Sequence, residues 1–348
     1  MFVHMKLLVL VILSFVTSRA NCFSQPARLN DEYTFMFYNT ENLYDTENDS
    51  LTLDDEFTPG GARRWNFGRL RDKSNRLAKV ILAAGKWNAP VLIGLCEIES
   101  NKVLEVLVKQ TSLNKYGYKI VHKDSPDQRG IDVALIYRPE LFKPYNYKAI
   151  TVADPQNSKF KTRDILQVSG VINNCDTIHV FVNHWPSRYG GLMETMRYRS
   201  LAAEVLKKSI LELMANGQKA KIICMGDFND TPEDESLSVV LKALKVDNPT
   251  INGEMINLSY RWMNSQVQTL KNMYSWQVFD QWIVSDYFMK NNGCLKQLNA
   301  EIFDAPFLLE PDKKYGGVKP KRTYVGFNYQ DGFSDHLPIL LKFQLVNP

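Results

Sequence analysis

A short apolar run that ends in a glycine and then in polar residues constrains the fold of this chain most. The stretch Lys221–Asp230 reads Lys-Ile-Ile-Cys-Met-Gly-Asp-Phe-Asn-Asp, and its apolar part has the length and composition of a buried strand. Asp227 and Asn229 lie two residues apart, so in extended geometry both side chains project to the same side. An acid and an amide at a strand end suit a hard divalent cation, but they also suit an Asx-type turn. Other strand ends must decide between these interpretations.

The length and composition of the chain allow a large apolar core. Of 348 residues, 45% are hydrophobic and 23% are charged, which fits one domain of two packed sheets or two ordinary domains. The formal net charge of +4 is too small to identify a partner. Segments 63–76 and 313–322 are locally basic, and each is interpreted either as a phosphate-attracting surface or as a solvated face.

The N-terminal residues have the pattern of an export signal. Lys6 precedes the apolar run Leu7–Val16, and small residues then allow cleavage after Ala20 or after Ser24. The run is too short to act as a stable membrane anchor, and no later segment is long and apolar enough to cross a membrane. We therefore expect residues 1–24 to be a signal peptide and the protein to be periplasmic or extracellular.

The five cysteines complicate that placement only slightly. Cys22 lies near the position of a lipoprotein cysteine, but the residues before it are a poor match, so lipid attachment is not favoured. No C-x-x-C motif occurs, so neither a zinc site nor a disulfide framework is indicated, although one disulfide remains open. Cys96 and Cys224 lie in apolar runs, where a thiol acts as a small apolar side chain. We expect residues 25–348 to form one monomeric domain.

Strand-like runs along the chain repeatedly end in residues that can bind metal or transfer protons. The runs Tyr33–Asn39, Pro90–Glu97 and Thr177–Asn183 are apolar or alternating, which predicts strands. Between and after them, apolar residues at helical spacing predict helices at about 69–84, 102–110 and 194–215. Random polar strand ends would seldom supply only carboxylates, amides and histidines. The residues at these ends are Asn39, Glu97, His184, Asp227, Asn229, Asp335 and His336.

Two further features extend this set. The residues after His184 include Ser187, Arg188 and two glycines, which are groups that bind anions, and we expect Ser187 and Arg188 to contact a substrate. Asp280 lies inside the apolar run Trp276–Ser285, where a carboxylate is costly unless another group pairs with it.

With these residues in this order, the sequence resembles the endonuclease/exonuclease/phosphatase superfamily, which has the deoxyribonuclease I-like fold. The Gly-Asp-Phe-Asn and Ser-Asp-His motifs carry the resemblance, together with the Asn and Glu at earlier strand ends. The segments Tyr38–Asp45 and Asn183–Arg188 look like its secreted bacterial branch. The resemblance covers about residues 33–343. It implies an α/β fold, a four-layer α/β/β/α sandwich of two mixed sheets flanked by helices.

The resemblance also implies roles for individual residues. It assigns a metal to Glu97, with Asn39 supporting it and Asp335 beside it, and it makes Mg²⁺ the expected cofactor, with Mn²⁺ or Ca²⁺ as alternatives. It assigns the positioning of water and phosphate to Asp227 and Asn229. The remaining catalytic assignments are His184, which Asp132 is expected to orient, and His336, which Asp280 is expected to pair with.

The chemistry of phosphate ester hydrolysis agrees with those roles. The reaction needs neutralised phosphoryl oxygens, a deprotonated water and a stabilised leaving oxygen, and histidines carry protons near neutral pH. Which histidine is the acid and which the base stays open at this point. Trp65, Trp185 and Tyr189 near basic residues favour nucleic acid over a lipid or sugar phosphate as substrate. A lipid or small-molecule phosphatase, or a catalytically silent binding protein, are the alternatives.

Overall fold

The computed structural model describes residues 32–86, 88–215, 220–245, 254–290 and 293–346. The expected signal peptide and Cys22 lie outside these residues, so both stay predictions. No helix in the described ranges combines the length and apolar character needed to cross a membrane. The helices are α1 (Phe67–Ala84), α2 (Asn101–Lys109), α3 (Leu192–Ala215) and the short α4 (Asp286–Met289), with 3-10 turns at Asp55–Phe57, Ser112–Tyr116, Leu258–Trp262 and Pro306–Leu308 and a π-helical turn at Ser236–Leu241.

Two large mixed sheets form the centre of the molecule. The first contains β1 (Glu32–Leu43), β2 (Leu92–Ile98), β3 (Lys119–His122), β4 (Asp132–Tyr137), β14 (Leu295–Ile302) and β19 (Ile339–Leu345). The second contains β5 (Phe142–Ile150), β6 (Ile165–Ile172), β7 (Asp176–His184), β8 (Lys221–Asp227), β9 (Ala243–Leu244), β10 (Met255–Asn257) and β13 (Asp280–Ser285). Three small hairpins lie outside them: β11 (Leu270–Asn272) with β12 (Ser275–Gln277), β15 (Leu309–Pro311) with β16 (Val318–Pro320), and β17 (Tyr324–Val325) with β18 (Asn328–Tyr329).

The order of strands explains how the two sheets present their ends. The first sheet runs β14-β19-β1-β2-β4-β3, and the second runs β5-β6-β7-β8-β13-β10-β9. Strands β1 and β2 are parallel, as are β7 and β8. Parallel neighbours need a long crossover, and the two longest helices, α1 and α3, occur within these two connections. The carboxyl ends of β1 and β2 therefore meet at one sheet edge, and those of β7 and β8 at another.

Alternation of side chains along the strands builds three apolar layers. Phe35 and Phe37 of β1 face the second sheet, whereas Met36 and Tyr38 face α1 and α2. On the far side, α3 packs against β7, β8 and β13. The result is the predicted α/β/β/α sandwich: helix, sheet, sheet, helix, with an apolar core between each pair of layers.

One detail differs from the sequence expectations, and a second answers a question that they left open. The run predicted as one strand from Trp276 to Ser285 is split, because Ser275–Gln277 turns back to pair with β11 and β13 begins only at Asp280. A disulfide joins Cys175, just before β7, to Cys294, just before β14. It links the two sheets covalently, while Cys96 and Cys224 are free and buried, as predicted.

Candidate active site

The site is built where strand ends of both sheets meet. In the second sheet, His184, Asp227 and Asp280 lie opposite one another on the neighbouring strands β7, β8 and β13. From the first sheet, the Asn39 side chain donates to Asp227 Oδ2 at 3.1 Å and more weakly to Glu97 Oε1 at 3.4 Å. The polar residues that end separate strands in the sequence therefore lie together at one site in the structure.

Backbone irregularities aim the acidic and amide side chains of this site. The β2 strand has a bulge at Glu97, because Cys96 pairs with Val133 and Ile98 pairs with Asp132. Glu97 has φ 59° and Asn229 has φ 52°, a left-handed conformation that non-glycine residues seldom adopt. Bulges and such residues concentrate near functional sites, where they redirect a side chain.

Hydrogen bonds fix the orientation of both carboxylates. Glu97 Oε2 accepts from the Asn42 backbone N–H at 2.9 Å, and Asp227 Oδ1 accepts from the Asn229 backbone N–H at 3.0 Å. The Asn229 side chain donates to the Trp185 carbonyl at 3.0 Å. The remaining carboxylate oxygens of Glu97 and Asp227 face the same space.

His336 is held by the carboxylate that the sequence pairs with it. Its Nδ1 lies 2.7 Å from Asp280 Oδ2, and its Nε2 lies 3.7 Å from Asp227 Oδ2. Burial alone would lower the pKa of His336, but the charges of Asp280 and Asp227 outweigh it and raise that pKa well above its usual value. These two carboxylates therefore favour the imidazolium form of His336.

His184 lies on the other side of Asp227 in a different state. Its Nε2 is 3.7 Å from Asp227 Oδ2 and 3.9 Å from Glu97 Oε1, while its buried Nδ1 has no hydrogen-bond partner among the described residues. Burial and the charges of Arg163 and Arg129 lower the pKa of His184 well below its usual value. Its surroundings therefore favour the neutral form of the His184 imidazole.

Asp227 lies between the two rings. Burial raises the pKa of Asp227 to about 7, an effect that His336 opposes and that Asp280 reinforces. A gap of 3.7 Å to each ring is too long for a direct hydrogen bond. The arrangement places a buried carboxylate between a neutral and a charged imidazole, which suits the positioning of a water.

The expectation that Asp132 orients His184 is wrong. Asp132 Oδ2 lies 3.1 Å from His122 Nε2, and Oδ1 accepts from the Ser125 backbone N–H at 2.7 Å. Asp132 is the first residue of β4, and its carboxylate forms these hydrogen bonds beside the first sheet. Arg163 is a buried side chain that donates to the His184 backbone carbonyl at 3.2 Å, so it holds the backbone of His184, and the ring nitrogen Nδ1 has no partner among the described residues. No distinctive pattern in the sequence marks this arginine.

The residues assigned to the metal separate into ligands and supports. Asn39 uses its amide N–H groups toward the acids, and its Oδ1 accepts from the Glu41 backbone N–H at 2.9 Å, so it holds the ligands rather than acting as one. Asp335 pairs with Arg322, whose Nη2 lies 2.9 Å from Asp335 Oδ2. Arg322 also contacts Glu41 at 3.1 Å. Of the residues predicted to bind the metal, Glu97 has the carboxylate oxygen best placed to act as a ligand, and the Asp227 carboxylate lies beside it.

The donor set at this point fits a hard divalent cation. Two carboxylates, Glu97 and Asp227, approach each other closely enough that both lie within 4 Å of His184 Nε2, at 3.9 and 3.7 Å. Neither forms a salt bridge to a lysine or arginine among the described residues. Oxygen ligands of this kind are what Mg²⁺ and related ions prefer. The cluster of Asp227, Asp280 and His336 is close enough to bind an ion as well, but the short His336–Asp280 hydrogen bond shows a dyad instead.

The residues expected to contact substrate are largely engaged elsewhere. Arg188 donates to the Asn229 carbonyl at 2.8 Å and pairs with Asp230 at 3.0 Å and Asp234 at 2.6 Å. The Ser187 hydroxyl accepts from the Tyr189 backbone N–H at 3.3 Å. Arg188 thus braces the segment after β8, and it does not present a free cation.

Solved structures resemble this architecture at low sequence identity. TDP2 from C. elegans has a TM-score of 0.55 and 14% identity, covering 90% of this chain and 75% of that one. An endonuclease/exonuclease/phosphatase family protein from Bacteroides thetaiotaomicron has a TM-score of 0.54 and 14% identity, covering 91% and 96%. D. rerio TDP2 complexed with single strand DNA product has a TM-score of 0.54 and 12% identity, covering 90% and 100%. Identities this low show a shared fold.

Sequence comparisons place the chain in a family. A search among curated proteins found no significant match. The family model described as endonuclease/exonuclease/phosphatase family matches residues 34–345, which include every residue of the site described above. With that match over nearly the whole chain and the shared fold, the chain belongs to the endonuclease/exonuclease/phosphatase family.

Proposed function

We propose that this protein is a divalent-metal-dependent phosphodiesterase that cleaves nucleic acid. The observation that carries the proposal is the convergence of Glu97, Asp227, His184 and the His336–Asp280 dyad at one end of both sheets. Together they supply a metal-binding carboxylate, a water-positioning carboxylate and two histidines in opposite protonation states. Hydrolysis of a phosphodiester needs these functions.

The protonation states suggest which histidine does what. His184, neutral and beside Asp227, accepts the proton of the attacking water that Asp227 and the Asn229 segment position. His336, protonated and held by Asp280, donates a proton to the leaving oxygen as the phosphorus–oxygen bond breaks. A Mg²⁺ ion bound at Glu97 would supply charge neutralisation for the phosphoryl oxygens. The water oxygen thus bonds to phosphorus, the bond from phosphorus to the leaving oxygen breaks, and that oxygen departs as an alcohol with the proton from His336.

The choice of nucleic acid rests on two observations. Tyr189 is 93% exposed in the loop that follows His184, where an aromatic face is open to stack on a base. A structure with the same fold contains a single-strand DNA product. Trp65 and Trp185, which the sequence also suggested, are fully buried and serve packing instead.

A lipid or small phosphate ester is the second candidate, and a specific observation favours it. The basic side chains of segment 63–76 are largely engaged within the protein. Arg63 pairs with Glu56 at 3.0 Å, and Arg69 donates to two backbone carbonyls. Lys73 is completely buried. Few of these cations are free to follow a polynucleotide backbone.

The test is hydrolysis of matched substrates by the mature protein, with Mg²⁺ and with chelator. Single-stranded DNA, RNA, sphingomyelin, phosphoinositides and sugar phosphates form the panel, and Glu97→Gln is the inactive control. We expect cleavage of nucleic acid with KM rising with salt, because several phosphates are engaged at once. A KM for DNA that stays constant from low to physiological salt, or cleavage of the lipid substrates alone, would move the second candidate to the front.

Export is proposed on separate grounds. The disulfide between Cys175 and Cys294 is the type of bond that persists in oxidising compartments. Together with the N-terminal pattern of residues 1–24, it supports a periplasmic or extracellular location. Mass spectrometry of the secreted or periplasmic fraction would identify the mature N-terminus, and size-exclusion chromatography with light scattering would test the expected monomer.

A further inference from the structure

Two small hairpins lie side by side next to the candidate active site. Hairpin β11–β12 turns at Met273 and Tyr274, and hairpin β15–β16 turns at residues 312–317, within the locally basic segment 313–322. Leu270 of β11 forms an isolated β-bridge with His336, and the backbone N–H of the next residue, Leu337, donates to the residue 269 carbonyl at 2.7 Å. The first hairpin therefore begins at the active site.

An ion pair shielded from solvent joins the turns of the two hairpins. Lys271 Nζ lies 2.9 Å from Asp312 Oδ2, and the two side chains are only 5% and 4% exposed. The same Nζ donates to the Gly316 carbonyl at 2.5 Å. The second carboxylate oxygen of Asp312 accepts from the backbone N–H groups of Lys314 and Tyr315, at 3.1 and 3.0 Å. These contacts fix the two turns relative to each other.

The joined turns bring two tyrosines into contact. The ring centroids of Tyr274 and Tyr315 are 4.9 Å apart, and the ring planes meet at 71°. Tyr274 is 76% exposed, and Met273 beside it is 59% exposed. An edge-to-face pair of this kind uses the edge of one ring and the face of the other, so ring surface stays open to solvent. The aromatic surface is therefore held in place and open to a planar partner.

Positive charge surrounds this aromatic surface. Lys314 Nζ lies 4.8 Å from the centroid of the Tyr315 ring, and Lys313 is exposed. Among the described residues, neither lysine forms an ion pair with a carboxylate. Asp312 is the one acid in the sequence of the turn 312–317, and it is already paired with Lys271. Charge complementarity therefore favours an anionic partner.

We propose that these two turns, residues 272–275 and 312–317, form a platform that binds single-stranded nucleic acid outside the cleavage site. A base stacks on Tyr274, and Lys313 and Lys314 contact phosphates. Aromatic rings beside cations bind single strands in this way, because every base has a face to stack and every nucleotide has a phosphate. Since the ligand is the substrate of the proposed nuclease, this assignment rests on the proposed function.

The position of the platform suits the leaving side of the substrate. Tyr274 is four residues beyond Leu270, and an extended strand rises about 3.3 Å per residue, so Tyr274 lies within roughly 13 Å of the bridge to His336. His336 is the proposed proton donor to the leaving oxygen. The strand that departs from the cleaved phosphate therefore has the platform within a short reach.

An anionic membrane is the other partner that basic and aromatic turns could fit. Binding in the membrane interface buries large apolar side chains such as tryptophan, phenylalanine and leucine. The sequences of the two turns, Asn-Met-Tyr-Ser and Asp-Lys-Lys-Tyr-Gly-Gly, contain none of these. The composition of the turns therefore favours nucleic acid.

The experiment measures binding without turnover. Mature protein in chelator is titrated with a short fluorescent single-stranded DNA, and anisotropy gives Kd at several salt concentrations. We expect Tyr274→Ala to weaken binding by about tenfold, because one stacked base is lost. Lys313→Gln combined with Lys314→Gln should lower the log–log salt slope by about 1.4, since two phosphate contacts are removed. The matched control is Tyr145→Ala, a 62% exposed tyrosine on the edge strand β5, which should leave Kd unchanged.

The outcomes separate this platform from the proposed function. If wild-type protein binds and cleaves DNA but Tyr274→Ala binds it as tightly as Tyr145→Ala does, the platform is wrong and the nuclease stands. If wild-type protein hydrolyses bis(p-nitrophenyl) phosphate but neither binds nor cleaves DNA, the proposed nuclease itself fails. Weaker binding of Tyr274→Ala to phosphatidylcholine–phosphatidylserine vesicles, with DNA binding unchanged, would assign the turns to a membrane instead. Circular dichroism verifies folding, and Tyr315→Ser gives the same readout if Tyr274→Ala does not fold.

Discussion

Two histidines in the same cleft differ in one contact. His336 and His184 are buried to a similar degree, at 6% and 3% exposed, and each places Nε2 3.7 Å from the same oxygen of Asp227. His336 has the Asp280 carboxylate against its second nitrogen at 2.7 Å. The second nitrogen of His184 has no hydrogen-bond partner within the described residues.

The difference teaches that burial alone does not set the preferred protonation state of a buried histidine. Removing an imidazolium from water is costly, so burial lowers its pKa in both cases. A carboxylate in direct contact reverses that effect for His336. For His184, the charges of two nearby arginines lower the pKa further. One cleft therefore holds a proton donor and a proton acceptor at the same pH.

The largest expected effect comes from removing the charged ring. His336→Ala should lower kcat by about 10²- to 10⁴-fold, because a general acid contributes that much. Steady-state hydrolysis of the best substrate from the panel, with circular dichroism to verify folding, measures it. His179→Ala is the matched control, since that histidine lies earlier on β7 and bonds Ser169. Equal losses in both variants would argue against a catalytic role for His336.

Removing the carboxylate that distinguishes the two rings is the next test. Asp280→Asn should reduce kcat by about 10²-fold or more, and it should move the alkaline limb of the pH profile to lower pH, because the pKa of His336 loses its main support. Asp286→Asn, which follows the far end of β13, is the control. Unchanged activity in Asp280→Asn would show that the pair has no part in turnover.

The neutral ring should tolerate replacement somewhat better. His184→Ala is expected to lower kcat by about 10²-fold, with the acid limb of the pH profile affected rather than the alkaline limb, since we propose that His184 is the base. Imidazole added to the buffer should restore part of the activity. A loss confined to the alkaline limb would exchange the roles of the two histidines.

The smallest expected effect is an opposite pH dependence of stability. The folded-state pKa of His336 is raised, so its stabilisation is fully present below about pH 6.5 and is lost as pH rises through that folded-state pKa. The folded-state pKa of His184 is lowered, so it destabilises the fold as pH falls below about 6.5. Urea unfolding with chelator should show His336→Gln most harmful in acid and His184→Gln relatively favourable there. Parallel pH curves for both variants would contradict the comparison.

Much of the architecture follows from local sequence. The alternation in β1 and the apolar runs before Glu97, His184 and Asp227 predict buried strands, because a strand must place apolar side chains on each packed face. The helical spacing at 69–84, 102–110 and 194–215 agrees with α1, α2 and α3 within a few residues. The polar residues that end the strands are also visible in the sequence, since they interrupt the apolar pattern.

Pairing between distant residues is not visible in this way. Asp280 lies inside one apolar run and Asp132 begins another, and the local pattern does not tell which histidine each carboxylate meets. The first bonds His336, 56 residues away, and the second bonds His122 on the adjacent strand. Likewise Arg188, which looks like an anion-binding residue in the sequence, forms salt bridges with Asp230 and Asp234 in the structure.

The sequence by itself determined the layers, the strand ends and the types of side chain gathered there. Only the tertiary structure decided that Asp132 meets His122 and not His184, and that Arg188 is engaged by Asp230 and Asp234. The physical reason is register: side chains alternate across a strand, so a bulge such as the one at Glu97 redirects a side chain and changes its partners. That register depends on contacts among all the strands of a sheet, whereas apolar periodicity is a property of each strand alone.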